Sequence, residues 1–259
     1  MNQPIVAALQ MTSVADVASN LDTARRLLEK AREGGACLAV LPENFSFMAR
    51  NDAERRGVIE ADGDGPVQRA IAAAARELGI WIVAGTQSIA VPGETRPANA
   101  CVVYDAGGRR VARYDKIHLF NVDLPDGREG YRESANAVAG AQPVTVDTPA
   151  GRLGLTVCYD MRFPELYRRL VSEGAEIFSV PSAFTGPTGR AHWEVLLRAR
   201  AIENLSFLIA AAQTGIHDSG RETYGDSLIV DYWGRVLGRL PRGSGVVLAA
   251  LDREQQAAI

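Results

Sequence analysis

A cysteine at the end of an apolar run is the residue of this sequence best placed to do chemistry. In "LTVCYDMRFPEL", residues 155 to 166, a pattern typical of a buried strand ends on Cys158, and Pro164 and Glu165 then favour the first turn of a helix. Such a corner lies near unpaired backbone N–H groups, which lower a thiol pKa and can stabilise an oxyanion. The stretch indicates a nucleophile, although a buried structural cysteine is the commoner outcome at a strand end.

A nucleophilic thiol requires a base that accepts its proton and returns it to the leaving group. His118 and His192 are candidates by residue type, but the sequence places neither beside Cys158. Glu43 in "LAVLPENF" directly follows an apolar strand, where its surroundings would raise its pKa into the range of a general base. Lys116 in "YDKIHLF" also ends a strand. Taken singly, Glu43 and Lys116 are equally compatible with solvated loop charges.

The elements that must position these residues alternate between strand and helix patterns. "PIVAALQ", "CLAVL" and "IWIVAGTQ" read as strands. They are separated by a helix that Asn20 would cap and Gly34 and Gly35 would stop, and by a helix in "GPVQRAIAAAARELG". This βαβαβ order predicts parallel pairing in an α/β fold. A hairpin is expected around Gly107 and Gly108, followed by a long polar surface loop over 124–140.

The second half of the chain repeats the first. "GACLAVLPENF" at 35–45 matches "GAEIFSVPSAF" at 174–184, and "IWIVAGTQ" at 80–87 resembles "SFLIAAAQ" at 206–213. Two similar α/β halves would stack their apolar sheet faces in a four-layer αββα sandwich, expected as one domain over 1–259. The strand ends at Glu43 and Cys158 would then open on the same edge.

Composition narrows the class of partner. The net charge is −3, the basic residues are scattered, and no long apolar segment or signal-peptide pattern is present, so we expect a small-molecule substrate without nucleic acid or membrane. Three cysteines without a CxxC spacing fit reduced thiols in the cytoplasm. Three widely separated histidines give no metal-ligand spacing, and no cofactor is expected.

"LPENF", "YDKIHLF" and "VCYDMRFPELYR", in this order and spacing, resemble the signatures of the nitrilase superfamily of carbon–nitrogen hydrolases. The resemblance covers essentially the whole chain and implies an αββα sandwich, usually dimeric. It also implies Glu43 as general base and acid, Lys116 as oxyanion stabiliser and Cys158 as nucleophile. Glu133 matches a second glutamate that holds the lysine and the substrate. The implied reaction attacks an amide carbonyl, with the Tyr159 backbone N–H meeting the oxyanion, and proceeds through a thioester.

Within the superfamily, "CYDMRFPEL", "PSAFTGPTGRAHWE" and "YGDSLIVDYWGRV" are most similar to deaminated glutathione amidases. This resemblance implies that Arg162 binds a substrate carboxylate and that Phe184 and Thr188 line the pocket. Arg162 would otherwise form a surface salt bridge. An ω-amidase of 2-oxoglutaramate, a carbamoylase and a catalytically silent binding subunit remain alternatives, and Tyr–Asp after Cys158 disfavours nitrile hydrolysis.

Overall fold

The computed structural model describes residues 3–123 and 130–259. The strands of the first half are β1 (Ile5–Gln10), β2 (Leu38–Val40), β3 (Trp81–Val83), β4 (Gln87–Ile89), β5 (Ala98–Tyr104), β6 (Arg110–Asp115) and β7 (Asn121–Asp123). Its helices are α1 (Val17–Glu33), α2 (Asp52–Arg56) and α3 (Pro66–Leu78).

The second half repeats this pattern of elements. Its strands are β8 (Gly130–Arg132), β9 (Thr145–Thr148), β10 (Gly151–Leu155), β11 (Ile177–Ser179), β12 (Phe207–Ala210), β13 (Thr214–Ile216), β14 (Glu222–Tyr224), β15 (Ser227–Val230), β16 (Val236–Leu240) and β17 (Gly245–Ala250). Its helices are α4 (Pro164–Ser172), α5 (Gly186–Asn204) and α6 (Arg253–Ala257). Short 3₁₀ turns cover Glu133–Ala135 and Cys158–Arg162.

The strands form two large sheets with matching topology. The first runs β17-β1-β2-β3-β5-β4, with β6 on β5, and the second runs β16-β15-β12-β11-β10-β9. β1, β2 and β3 are parallel, as are β10, β11 and β12, and each set is followed by an antiparallel strand. This correspondence confirms the βαβαβ prediction and the similarity of the halves.

Alternation along β1 explains the layers. Val6 and Ala8 belong to the core that also holds Leu153 and Ile177 of the second sheet. Ala7 belongs to a second core with residues of α1 and α3. Because successive side chains of a strand point to opposite faces, the first sheet packs on the second sheet with one face and on its helices with the other. The α/β sandwich expected from the sequence is therefore confirmed.

Asn20 does not cap α1. Asp16 is the cap and accepts a hydrogen bond from the Ser19 N–H at 2.8 Å. Asn20 lies inside the helix, buried, where its Oδ1 accepts from the Val14 N–H and its Nδ2 donates to the carbonyls of Val14 and Ser46. The sequence showed a polar residue before an apolar stripe but could not show its tertiary partners. These hydrogen bonds fix the segment of chain that follows β1.

The surface loop expected over 124–140 is only partly irregular. β8 pairs with β7 in an antiparallel ladder, and the 3₁₀ turn at Glu133–Ala135 follows it directly. Residues 124–129 of the expected loop lie outside the described residues. The pairing fixes the position from which Glu133 projects. In the described ranges, no helix is long and apolar enough to span a bilayer.

Candidate active site

A cavity of about 460 Å³ is lined by polar and charged residues that follow four different strands. Its lining includes Glu43 after β2, Lys116 after β6, Glu133 after β8 and Cys158 after β10. The structure therefore brings all four residues singled out in the sequence into one place.

Cys158 sits in a strained corner. Its φ of 47° is in the left-handed region that non-glycine residues rarely adopt, and its N–H donates to the Pro181 carbonyl at 2.9 Å. The strand ends at Leu155, slightly earlier than the sequence suggested, and a 3₁₀ turn beginning at Cys158 precedes α4. Tyr159 lies in the first turn, where backbone N–H groups lack intrahelical partners.

Lys116 links the two glutamates. Its Nζ lies 2.8 Å from an oxygen of Glu43 and 2.8 Å from an oxygen of Glu133, and its side chain is 1% exposed. Burial alone would lower the pKa of Lys116, but Glu133 and Glu43 outweigh it and raise that pKa well above its ordinary value. Burial likewise opposes ionisation of Glu133, whose pKa is nevertheless lowered, chiefly by Lys116. The lysine is therefore held as a cation.

Asn99, which the sequence analysis did not single out, connects the same carboxylates. Its Nδ2 lies 3.2 Å from Glu43 Oε1 and 3.0 Å from Glu133 Oε1. A polar residue inside the apolar β5 stretch "ANACVVY" is the signal that could have indicated it. Glu133 is fixed further by the Phe120 N–H at 2.7 Å.

Glu43 also lies beside the thiol. Its Oε2 accepts the Ala183 N–H at 3.0 Å, and its carboxylate is close enough to Cys158 to raise the pKa of that thiol. Burial raises the pKa of the Cys158 thiol and Glu43 raises it further, against the opposing effect of Lys116. The prediction that this corner lowers the thiol pKa is therefore wrong for the resting site. The adjacent carboxylate can instead take the proton when the thiol reacts.

Both candidate histidine bases have other partners. His118 Nδ1 lies 2.7 Å from Asp160 Oδ1, and its ring stacks on Phe163 at a centroid distance of 3.6 Å. His192 Nδ1 lies 3.2 Å from an Arg162 guanidinium nitrogen. Among the described residues, neither is hydrogen-bonded to Cys158, so Glu43 is the base that the geometry offers.

The outer part of the cavity carries the residues expected to hold substrate. Arg162 lies 5.7 Å above the Tyr159 ring and 5.6 Å above the Phe184 ring, measured from its guanidinium carbon to each centroid. Thr188, in the first turn of α5, hydrogen-bonds through its hydroxyl to the Thr185 hydroxyl at 2.8 Å. All these residues line the cavity. No group of His, Cys, Asp and Glu suited to a metal was found within residues 3–123 and 130–259.

A buried thiol, carboxylate and ammonium at the strand ends of this sandwich define a hydrolase of the nitrilase class, the class of its solved structural neighbours. The chain belongs to the carbon–nitrogen hydrolase family, whose family model matches residues 5–259.

Curated relatives support the same assignment. A deaminated glutathione amidase of Yersinia enterocolitica is 43% identical over 242 residues, covering 93% of this chain and 84% of the relative. One of Rattus norvegicus is 44% identical over 261 residues, covering 96% of this chain and 77% of the relative. Among solved structures, the Caenorhabditis elegans NitFhit protein superposes with a TM-score of 0.91 at 38% identity over 100% of this chain, which spans 63% of NitFhit.

Proposed function

We propose that this protein is a cysteine-dependent amidase that hydrolyses the C–N bond of a small 2-oxo-dicarboxylic acid amide, with deaminated glutathione as substrate. The observation that carries the proposal is that one buried carboxylate, Glu43, pairs with the Lys116 ammonium at 2.8 Å and lines the same cavity as Cys158, whose thiol pKa it raises. The relatives described above, which bear the name deaminated glutathione amidase, support the substrate.

The first half of the proposed reaction forms an acyl-enzyme. Glu43 accepts the Cys158 proton as the sulfur attacks the amide carbonyl, so a standing thiolate is not needed and the raised thiol pKa is no obstacle. The charge that develops on the carbonyl oxygen is stabilised by the Lys116 ammonium and the Tyr159 backbone N–H. Glu43 then protonates the departing amine, the C–N bond breaks, and a thioester remains on Cys158.

The second half regenerates the enzyme. Glu43 removes a proton from water, and the resulting hydroxide attacks the thioester carbonyl. The same two donors stabilise the second oxyanion. The C–S bond breaks, the acid is released, and Cys158 recovers its proton from Glu43. Glu133 holds Lys116 in place through an ion pair of 2.8 Å with its Nζ. Asn99 holds Glu43 through a hydrogen bond of 3.2 Å from its Nδ2.

Substrate selection is assigned to the outer cavity. The Arg162 guanidinium offers a planar fork that suits a carboxylate, and among the described residues it has no carboxylate partner of its own. The predicted alternative, a surface salt bridge, is therefore not formed there. Phe184, 5% exposed and packed on Trp193 at 5.0 Å, provides an apolar wall, and Thr188 provides a polar contact.

Steady-state release of 2-oxoglutarate tests the proposal. Deaminated glutathione and 2-oxoglutaramate are compared side by side, with Cys158→Ala as the inactive variant and Cys37→Ala as the matched control. A higher kcat/KM on deaminated glutathione, lost only in Cys158→Ala, is the expected result. The reverse ratio would make the protein an ω-amidase, and activity only on carbamoyl compounds would make it a carbamoylase. A Cys158→Ala protein that keeps its full biological role would indicate a binding subunit.

We further propose that residues 1–259 form one hydrolase domain that works without a cofactor as a homodimer in the cytoplasm. Val195 and Ile202 of α5 are 69% and 48% exposed, and Trp233, in the turn beside Ile202, is 60% exposed. Such a patch is suited to burial against a second copy. The three cysteines are unpaired, which fits a reducing compartment. Sedimentation velocity of the purified chain tests the dimer.

A further inference from the structure

The arginines around the cavity are of two kinds. Arg132 already has an anionic partner, because its Nη2 lies 2.7 Å from a carboxylate oxygen of Asp123. Arg55, Arg162 and Arg221 also line the cavity but form no ion pair with any carboxylate among the described residues. Since a guanidinium is always charged, these three are available to bind an anionic ligand.

Arg221 is bound directly to the peptide that positions the proposed base. Its Nη2 donates to the Ala183 carbonyl at 2.5 Å, and the N–H of Ala183 donates to Glu43 Oε2 at 3.0 Å. Its Nε is buried and has no hydrogen-bond partner in the described part of the chain. A buried donor without a partner requires an explanation, and an absent ligand is one.

Arg162 and Arg221 contact different residues of the cavity lining, although Phe184, which lies under Arg162, directly follows Ala183. Arg162 lies over the ring of Tyr159, the residue that follows the nucleophile. Arg221 contacts Ala183 and lies 5.0 Å from the ring centroid of Tyr131, measured from its guanidinium carbon. These two cations have no carboxylate partner among the described residues and line the same cavity as Cys158, so each is available to one anionic end of a substrate whose amide carbonyl lies at Cys158.

Deaminated glutathione has this charge pattern. Its 2-oxoglutaryl part carries one carboxylate, its leaving dipeptide ends in another, and the scissile amide lies between them. This proposal rests on the proposed function: with the carboxylate of the acyl part assigned to Arg162, we propose that Arg221 binds the C-terminal carboxylate of the leaving peptide. Arg221 is thereby the residue that selects a dianionic peptide amide over a primary amide such as 2-oxoglutaramate, which lacks the second carboxylate.

The test uses the full chain and three substrates: deaminated glutathione, the same compound with its glycine carboxylate converted to an amide, and 2-oxoglutaramate. Arg221→Gln should lower kcat/KM on deaminated glutathione about 10- to 100-fold, mainly through KM, because a charge-assisted contact is lost. The other two substrates should change by less than about threefold, since neither offers the anion. Arg221→Lys, which keeps the charge without the fork, should show an intermediate loss.

Two variants serve as controls. Arg132→Gln removes a cavity arginine that Asp123 already neutralises, and it should not change the ratio between the substrates. Arg55→Gln removes the third arginine without an ion pair, and a selective loss of activity on deaminated glutathione in Arg55→Gln but not in Arg221→Gln would overturn the assignment.

An equal loss on all three substrates in Arg221→Gln would mean that the arginine only supports Ala183, and no loss would mean that it does not bind substrate. Either outcome overturns the assignment while the wild-type activity leaves the proposed function standing. A wild-type protein that hydrolyses neither peptide substrate would instead overturn the proposed function, and the assignment with it.

Discussion

Asp160 accepts a hydrogen bond from the Tyr114 hydroxyl at 2.7 Å, and both side chains are fully buried. Tyr114 belongs to β6 in the first sheet, two residues before Lys116, and Asp160 belongs to the turn that begins at Cys158. The same carboxylate accepts the Val157 N–H at 2.8 Å. This pair therefore joins the proposed oxyanion donor and the proposed nucleophile, which come from different halves of the chain.

Tyr114→Phe should weaken both stability and turnover. The substitution removes the hydrogen bond to Asp160 and the longer one that the hydroxyl accepts from the Ile117 N–H at 3.3 Å, which together are expected to cost about 1–2 kcal/mol of the free energy of unfolding. Because the bond that joins the segments carrying Lys116 and Cys158 is lost, these two residues are positioned less accurately, and kcat should fall about 3- to 30-fold. Urea unfolding and steady-state kinetics measure the two effects.

Tyr167→Phe is the matched control for Tyr114→Phe. It also removes a buried hydroxyl, hydrogen-bonded to Thr156 at 3.0 Å, but it does not touch Asp160. A similar loss of stability with little change in kcat is expected. Equal effects of the two variants on kcat would show that Asp160 has no special positioning role.

Asn99→Leu should lower activity although the side chain at this position of β5 changes little in volume. The amide is hydrogen-bonded to both Glu43 and Glu133, so its removal leaves each carboxylate one donor short. We expect kcat to fall about 10- to 100-fold, equivalent to about 1.4–2.7 kcal/mol, because both carboxylates lose a donor but keep their ion pairs with Lys116. Asn136→Ala removes a half-buried amide of the same cavity that is bonded to Asp52 and to neither Glu43 nor Glu133, so it should lower kcat much less. Unchanged turnover in Asn99→Leu would contradict the role given to this amide.

Much of the fold could be predicted because the local pattern and the global fold agree. Apolar runs such as that of β1 are buried on both faces, so strands appear as continuous apolar segments separated by amphipathic helices. The repeated "LPENF" and "VPSAF" stretches follow β2 and β11, which occupy matching positions in the two sheets. The parallel pairing of β1, β2 and β3 followed from these patterns.

The site was less predictable because its contacts join distant parts of the chain. Asn99 and Asp160 are polar residues in apolar surroundings, which indicates a buried partner but not its identity. The direction of the Cys158 pKa shift was predicted wrongly because burial of the thiol raises its pKa and the Glu43 carboxylate raises it further, and only the fold supplies that burial and that neighbour. Glu133 was indicated by family resemblance and not by any local pattern.

Glu133→Gln should destabilise the protein at neutral pH more than in acid. The pKa of Glu133 is lowered in the folded state, so its ionised form contributes stability above the unfolded value, and this contribution is lost as pH falls. Relative to wild type, we expect a loss of about 1–3 kcal/mol at pH 7 that narrows below about pH 4. Urea unfolding at several pH values checks this. A difference that stays constant with pH would show that the ion pair with Lys116 does not account for the effect.

Glu43→Gln should make the Cys158 thiol easier to ionise while abolishing amide turnover. Burial and the Glu43 carboxylate both raise the thiol pKa, and Lys116 opposes them. Removal of the carboxylate leaves the cation, so the thiol pKa should fall, and thiolate alkylation should reach half its maximum at a lower pH than in wild type.

Mass spectrometry of iodoacetamide labelling between about pH 6 and pH 10 measures this shift, with Cys158→Ala identifying the labelled site. The alkylation midpoint and amide turnover should change in different ways in Glu43→Gln. The carboxylate that holds the proton on the resting thiol is also the group proposed to carry that proton to the leaving amine. An alkylation midpoint that stays in place or moves to higher pH would contradict the position of Glu43 beside the thiol. Retained amide turnover in Glu43→Gln would contradict its role as the base.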